Sequence, residues 1–567
     1  MSSVILRFRS KDGMFRINTS IDSDFISVIE QLVTKLSSVV NPQTLFLSSS
    51  PSQKGELASA YCGKTIQELG LKNGDMLFVS YESAINAPTT TTVPITTSAT
   101  ATVNVTTAGP TKVSELPVDI ALDKQEGLIS RPHSSMCRHG ARGMCEYCAP
   151  LPPWDETYRS DHAIKHISFH AYLKQQIAKH KNNGGSYIAP LDEPDYKIDL
   201  HCQQGHQPYP KGICSKCQPS PITLQLQKFR MVDHVEFADS SILNEFINGW
   251  RSTGVQRFGY LYGRYEPFDK VPLGIKAVVE SIYEPPQVGE IDGVTLLDWD
   301  NEQQVDLIAE KLGLSKVGFT FTDLTDSGNK DGTVLCKRHK DSYFLTNLEC
   351  IMAARFQHKY PNVSKYSSKG KFSSKFVSCV ISGGLLGEIE PRSYQVSIGA
   401  EALVEADIIT GCTQPSMVYV NENNSTRYVP DIQYSKINEY GLEVKSNAKP
   451  TFPVDFLLVS LTDSFPVTPT PMFSSEYHYT IENREFMGDV QDLSTVYKYL
   501  NDSDYESRKN KLSNFHFLCH LTRLNILGQE EIETIFKFIV DKNEVDYIRL
   551  VESPGWMSLI TILEENK

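Results

Sequence analysis

The chain has 567 residues, 40% of them hydrophobic and 22% charged, with a formal net charge of −13. That length exceeds what one hydrophobic core organises and implies roughly three or four domains, and the acidic balance argues against duplex nucleic acid as principal partner, because affinity for phosphate comes from clustered Lys and Arg. No window approaches a run of 18 apolar residues and the start, Met1-Ser-Ser-Val-Ile-Leu-Arg-Phe-Arg9, lacks a signal-peptide core, so a soluble intracellular protein is expected, whose twelve cysteines are candidates for metal binding and not for disulfides.

Residues 1–84 read as a ubiquitin-like β-grasp domain. Val4, Leu6 and Phe8 alternate with Ile5, Arg7 and Arg9, Lys11-Asp12-Gly13 offers a hairpin turn, and a second short strand follows over 15–18. Capping residues at 20–24 introduce a helix to about Leu36, Leu45-Phe46-Leu47 suggests a strand, and 69–79 read as a turn feeding a last strand. From residue 85 the chain turns to Thr, Ala, Val and Pro, with almost no charge or large aromatic side chain. The segment 85–125 is therefore expected to be a flexible linker.

Residues 126–229 carry two Cys/His clusters, Cys137-x-His139-x5-Cys145-x2-Cys148 and Cys202-x3-His206-x7-Cys214-x2-Cys217. Both end in a Gly-x-Cys-x-x-Cys-x-Pro frame, 69 positions apart, which suggests an internal duplication. A CxxC turn aims two thiolates at one centre, and a Cys and a His from the preceding loop complete a tetrahedral shell with no position left for water, so two structural zinc ions are expected. His139 and His206 keep the ligand loops short; His133 and His201 are the alternatives. The spacing does not match a ββα finger, and protein is the expected partner of these motifs. His162, His166 and His170 recur at intervals of four, but without an H-E-x-x-H arrangement they read as packing or surface histidines.

A long mixed segment, 230–462, follows, and then a tail, 463–567, in which Val490, Leu493, Val496, Tyr497 and Leu500 recur at helical spacing, as do Ile532, Ile535, Phe536 and Ile539. Ser553-Pro554-Gly555 breaks the pattern before a final helix around 557–563, so the tail is expected to be a small helical domain. Residues 359–375 are basic and Ser-rich and read as a solvated or mobile insertion.

Several stretches resemble the family of nuclear protein localization protein 4, adaptors of the AAA+ ATPase of the valosin-containing-protein type. They are Cys137-Arg-His-Gly through Cys148-Ala-Pro-Leu-Pro-Pro-Trp154, Ile164-Lys-His-Ile-Ser-Phe-His170, Val232-Asp-His-Val-Glu-Phe237, Phe258-Gly-Tyr-Leu-Tyr-Gly263, Ile282-Tyr-Glu-Pro-Pro-Gln287 and Ser553-Pro-Gly-Trp556. The resemblance implies a multidomain α+β protein: β-grasp, two zinc fingers, an MPN domain over 230–462, the fold of JAMM deubiquitinases, and a helical C-terminal domain. A JAMM enzyme needs a Glu three residues before its G-x-L-x-G-like strand, then H-x-H and a downstream S-x-x-D. Here Gln256 stands at the Glu position, Phe319, Thr320, Phe321 and Thr322 where imidazoles are required, and Thr346-Asn-Leu-Glu349 is the nearest echo of the last motif, while Cys336 and His339 match no catalytic shell. The expectation is therefore a non-enzyme, with a zinc-dependent JAMM-type deubiquitinase as the alternative.

By the same resemblance, the β-grasp domain docks on the ATPase hexamer and the fingers stand on its ring. The MPN domain and tail bind polyubiquitin, including an unfolded ubiquitin on the MPN surface, and a ubiquitin-fusion-degradation partner completes a heterodimer. The implied location is cytoplasmic and nuclear, with peripheral association to the ER and nuclear envelope and membrane contact only indirect.

Overall fold

A computed structural model of the chain describes residues 3–10, 13–20, 23–35, 46–48, 56–57, 64–66, 68–69, 75–80, 112–140, 143–180, 188–501 and 504–565. It divides into two compact units, 1–104 and 105–567. The expected turn at Lys11-Asp12 and the linker over 85–111 lie outside the described residues.

The first unit is the ubiquitin-like β-grasp. Strands β1 (Ser3–Ser10) and β2 (Gly13–Ser20) pair antiparallel, helix α1 (Phe25–Lys35) follows, and β3 (Phe46–Ser48), β4 (Glu56–Leu57) and β5 (Met76–Ser80) complete a sheet of order β2-β1-β5-β3-β4. Alternation buries Val4, Leu6 and Phe8 on one face of β1, and the i, i+3, i+4, i+7 stripe Phe25, Val28, Ile29 and Leu32 lies on the same core. The parallel pairing of β1 with β5, Phe8 opposite Leu77, brings the first and last strands together at the sheet's centre.

The second unit is built on one eight-stranded sheet. Its strands are β6 (His234–Phe237), β7 (Phe258–Phe268), β8 (Gly274–Tyr283), β9 (Ser315–Asp323), β10 (Val377–Gly383), β11 (Ile389–Val396), β12 (Leu458–Ser460) and β13 (Thr462–Ser464), in the order β12-β11-β10-β9-β7-β8-β6-β13. The two outermost strands are consecutive in the chain. At Leu461, whose N–H donates to Ser393 O at 3.0 Å, the backbone leaves β11 and passes to β6, joining the two ends of the sheet and leaving short edges.

Period-2 alternation divides the core in two. Phe258, Tyr260, Tyr262, Phe319 and Val380 face one way, while Leu261, Val317, Val377, Cys379 and Ile381 face the other, toward Val118 and Leu122 and toward Phe246 and Trp250. The expected tail helices form over Leu493–Asn501, Gln529–Asp541 and Pro554–Glu565, with others between. They do not enclose a core of their own: Phe515 packs 5.2 Å from Tyr262 and 6.4 Å from Tyr283, so sheet and tail share one hydrophobic cluster.

Two expectations are corrected here. Pro117–Asp123, inside the segment read as linker, is a helix (α2) that buries Val118, Asp119 and Leu122. The basic stretch 359–375 is folded against it: Lys375, 3% exposed, sits 2.7 Å from Asp119 Oδ2 and bonds Asn362, while His170 Nε2 lies 2.9 Å from Asp119 Oδ1. Lys365 Nζ and Tyr366 OH both reach Asp123, at 2.7 and 3.0 Å. The basic residues thus answer acidic ones on α2 some 250 positions earlier, a complementarity that composition alone does not disclose. His166 and His170 are packing residues as expected, both buried, with His166 Nδ1 donating to Gln227 O at 3.1 Å.

Burial pushes the Asp119 carboxyl up, but the Lys375 charge and the bonds from His170 and Lys375 outweigh it and hold the group below its ordinary range. A depressed folded-state value stabilises the native state at neutral pH, and that contribution is lost as pH falls below the unfolded value of about 3.9. Asp119→Ala strands a buried ammonium, so urea unfolding of the second unit should lose about 3–5 kcal/mol; the first unit, followed by its own amide resonances, should be unchanged.

Candidate functional site

The structure brings each Cys/His cluster together. The ligand atoms of Cys137, His139, Cys145 and Cys148 lie within 4.8 Å of one another, as do those of Cys202, His206, Cys214 and Cys217. In the first, Cys145 Sγ is 3.7 Å from Cys137 Sγ and 3.8 Å from Cys148 Sγ, with His139 Nε2 3.2 Å from Cys148 Sγ. In the second, the sulfur of Cys214 is 3.7 Å from Cys202 and 3.6 Å from Cys217, and His206 Nε2 is 3.5 Å from Cys217. A disulfide needs about 2.05 Å. A tetrahedron with Zn–S of about 2.3 Å has S···S edges of about 3.8 Å, and about 3.6 Å to a histidine nitrogen. The donor sets fit zinc.

The local backbone explains the convergence. Cys148 N–H and Ala149 N–H donate to Cys145 O at 3.1 and 2.8 Å, and Cys217 N–H and Gln218 N–H donate to Cys214 O at 3.2 and 3.1 Å, so each CxxC closes one tight turn. The Cys145 and Cys214 N–H groups point at the second sulfur of their own turn, at 3.4 and 3.1 Å. Backbone N–H groups of Lys216 and then Cys217, aided by the neighbouring thiols, lower Cys214 to about 6. His139 Nδ1 lies 2.9 Å from Gly140 O and His206 Nδ1 2.6 Å from Gln207 O. A carbonyl only accepts, so Nδ1 carries the proton and the unprotonated Nε2 joins the sulfurs as a donor toward their common centre. His139 therefore fills the position for which His133 competed; His133 packs edge-on 4.9 Å away. His206 likewise stands where His201 was the alternative.

Two contributors carried no signal in the spacing. Arg131 donates from Nε to Ala149 O at 2.7 Å and also reaches Glu146 O, clamping the first CxxC turn from outside. Ser134 N–H approaches Cys137 Sγ at 3.4 Å. Both fingers lack a core: Met136, Met144 and Tyr147 of the first are exposed, Met144 by 74%, as is Ile213 of the second.

Of the positions compared with a JAMM centre, Gln256 stands just before β7, Phe319 to Thr322 lie along β9, and Thr346 and Glu349 open a helix; Gln256, Phe319, Thr322 and Glu349 are each committed elsewhere. Gln256 is 3% exposed and makes four side-chain hydrogen bonds. Its Nε2 donates to Ile291 O and Leu324 O, both at 2.8 Å, and its Oε1 accepts from Thr322 Oγ1 at 2.8 Å and Leu324 N–H at 3.1 Å. The amide thus has its donors and acceptor lone pairs satisfied and no titratable oxygen. Phe319 is fully buried between Phe258 and Phe356, with ring centroids 5.5 and 4.9 Å away. Thr322 Oγ1 also accepts from Arg257 N–H at 2.9 Å.

Glu349 completes a capping box with Thr346 at the start of the helix Asn347–Lys359 and takes a two-pronged pair from Arg338, at 2.8 and 2.7 Å. Arg338 Nε also holds Asp323, at 2.8 Å. Cys336 Sγ lies 3.9 Å from Arg338 O and His339 Nδ1 accepts from Asp341 N–H, so both serve the loop. Among the described residues, the groups of three or more Cys, His, Asp or Glu converging at metal-ligand range are the two fingers.

Comparison with known proteins covers the whole chain. The profile described as "NPL4 family" matches residues 257–564, "NPL4 family, putative zinc binding region" matches 113–254, and "Nuclear pore localisation protein NPL4" matches 3–80. Proteins named Nuclear protein localization protein 4 are 64% identical in Scheffersomyces stipitis and 63% identical in Candida albicans, each over 100% of both chains. The Saccharomyces cerevisiae protein of that name is 50% identical over 99% of this chain and 100% of its own. No helix among the described residues is long and apolar enough to cross a membrane.

Gln256→Glu tests whether the amide is structural. A carboxylate there faces the carbonyls of Ile291 and Leu324 with nothing to donate, which should cost about 2–3 kcal/mol or more in urea unfolding at pH 8. The folded pKa of the new group is raised, so the loss should grow as pH rises through its unfolded value of about 4.3 and be smallest in acid.

Proposed function

Because the chain belongs to the NPL4 family, we propose that it is a non-catalytic adaptor that brings polyubiquitinated proteins to a AAA+ ATPase hexamer of the valosin-containing-protein type, for extraction and proteasomal degradation. The observation that carries the non-catalytic part is Gln256: where a JAMM hydrolase keeps its base, this chain has a buried amide with four hydrogen bonds, beside phenylalanines in place of imidazoles. A hydrolase of that kind must hold one zinc and its water with several strong ligands. Residues 230–462 are accordingly read as an MPN domain turned to binding.

The same reading gives the other parts their tasks. The β-grasp domain of residues 1–84 docks on the ATPase. Two structural zinc ions, held by Cys137, His139, Cys145 and Cys148 and by Cys202, His206, Cys214 and Cys217, fold the loops of the 126–229 region, and the exposed Met136, Met144, Tyr147 and Ile213 meet the ring. A ubiquitin-fusion-degradation partner forms the heterodimer, and the protein works in cytoplasm and nucleus, reaching the ER and nuclear envelope through its partners. Ubiquitin is bound by the tail and, in unfolded form, by the MPN surface. A surface that binds only the unfolded state draws folded ubiquitin toward it by mass action, and the ATPase then supplies the work.

A pulldown of the purified chain with ATPase hexamer and ubiquitin chains tests the assignment. Removal of residues 1–84 should abolish capture of the ATPase and leave ubiquitin binding in place. Chelator-sensitive cleavage of the chains that survives Cys145→Ser and Cys214→Ser would instead establish the hydrolase reading.

A further inference from the structure

Residues 465–472, Phe-Pro-Val-Thr-Pro-Thr-Pro-Met, cross from the closing strand β13 to the helical tail. Both ends are anchored. His234 Nε2 lies 2.8 Å from Ser464 Oγ; at the far end Met472 N–H donates to Glu280 Oε2 at 2.9 Å, Phe473 is buried, and Ser474 N–H donates to Ser513 O at 2.8 Å. Between the anchors the chain stands in solvent: Val467 is fully exposed, and Thr468, Pro469 and Thr470 are exposed. Among the described residues none hydrogen-bonds to residues 467–471. Among the described residues no hydrogen bond holds the bend at 467–468 in place.

The sequence of this span selects a class of modifying enzyme. Pro466, Pro469 and Pro471 have fixed φ and no N–H, and a residue before proline is kept out of the helical region, which applies to Thr468 and to Thr470. A protein kinase takes its substrate as a single extended strand. A cleft with no acceptor for the amide after the phosphorylated residue leaves an ordinary N–H unsatisfied, and proline removes that cost. The other described Ser-Pro dipeptides are set in structure. Ser553 Oγ accepts from Trp556 N–H at 3.2 Å at the head of the last helix, and Ser220-Pro221 leads directly into the paired strand Ile222–Leu224.

We propose that residues 465–472 are a phosphorylation site, with Thr468 and Thr470 modified in the folded protein by a proline-directed serine/threonine kinase. The threonine Oγ forms a bond to the γ-phosphorus of ATP as the bridging P–O bond breaks, ADP leaves with that oxygen, and the hydroxyl proton passes to the kinase's catalytic carboxylate and on to water. Each phosphothreonine adds a charge of about −1.5 to −2 at pH 7. An adjoining cavity of about 490 Å³ is lined by Pro471, Lys509 and Lys542 and also by Glu476 and Glu544, and Lys509 is already paired with Glu506 and Glu544, at 2.6 and 3.5 Å, so the new charge meets both signs there. The site sits on the strap between the sheet and the tail, and it is independent of the adaptor reading.

Full-length protein is incubated with MgATP and a purified proline-directed kinase, phosphosites are mapped by peptide mass spectrometry, and initial rates are compared with a free peptide of residues 464–475. Phosphate should appear at Thr468 or Thr470 at a rate within about tenfold of the peptide's, disappear in the Thr468→Ala/Thr470→Ala double variant, and persist when both are changed to serine. A native chain modified more slowly than that, or modified only at other residues such as Ser220 or Ser553, would overturn the proposal.

Discussion

The Gln256 amide ties the start of β7 to the loop carrying Ile291 and to the end of β9, at Thr322 and Leu324, adding to the pairing that already holds β9 between β7 and β10. Because the group is buried, each of its bonds is made in a low dielectric and none can be exchanged for water at small cost. The neighbourhood is arranged around that neutrality. Phe319 stacks where a metal ligand would have to project, and the carboxylates of Asp323 and Glu349 are both paired with Arg338, itself 2% exposed. A change to a charged, metal-holding pocket would have to release the arginine, displace the phenyl ring and replace the amide together. No single substitution does so.

The two donor sets that fit zinc lie where, among the described residues, there is no hydrophobic core. The finger loops leave methionine and tyrosine side chains in solvent and bury little apolar area, so their turns depend on the Cys/His shells and on clamps such as Arg131. Binding free energy of a structural zinc, about 10 kcal/mol or more at neutral pH, is folding free energy for such loops. The sheet and the tail instead rest on shared burial, with Phe515 of the tail lying between Tyr262 and Tyr283 of the sheet. Cutting the chain at the end of the sheet would therefore expose a core face on both pieces, which is why the tail behaves as an extension of the sheet's core.

What could be read in advance was local. The capping residues at 20–24 before the helix, the alternation of Val4, Leu6 and Phe8, and the repeated CxxC frames each express their structure within a dozen residues. Gln256 was also singled out in advance, by its offset from Gly259, as an amide at the position where a JAMM enzyme keeps a carboxylate. The partners of Gln256 were not, since Ile291 and Leu324 contribute backbone oxygens that carry no residue signature. Helix α2 and the 359–375 stretch were misread for a related reason: Asp119 and Lys375, 256 positions apart, are each unremarkable in their own neighbourhood and acquire meaning only as a buried pair. Choosing His139 over His133 likewise needed the geometry of its ring, whose far nitrogen is fixed on Gly140 O.

The proposal that metal braces the two finger loops, and that no metal pocket exists beside Gln256 and Phe319, can be tested with X-rays tuned across the zinc absorption edge. A crystal of the full chain should give two anomalous peaks, one inside each Cys₃His shell, and none near Gln256 and Phe319. A third peak in that pocket, or finger loops that remain ordered in crystals stripped of zinc, would contradict it.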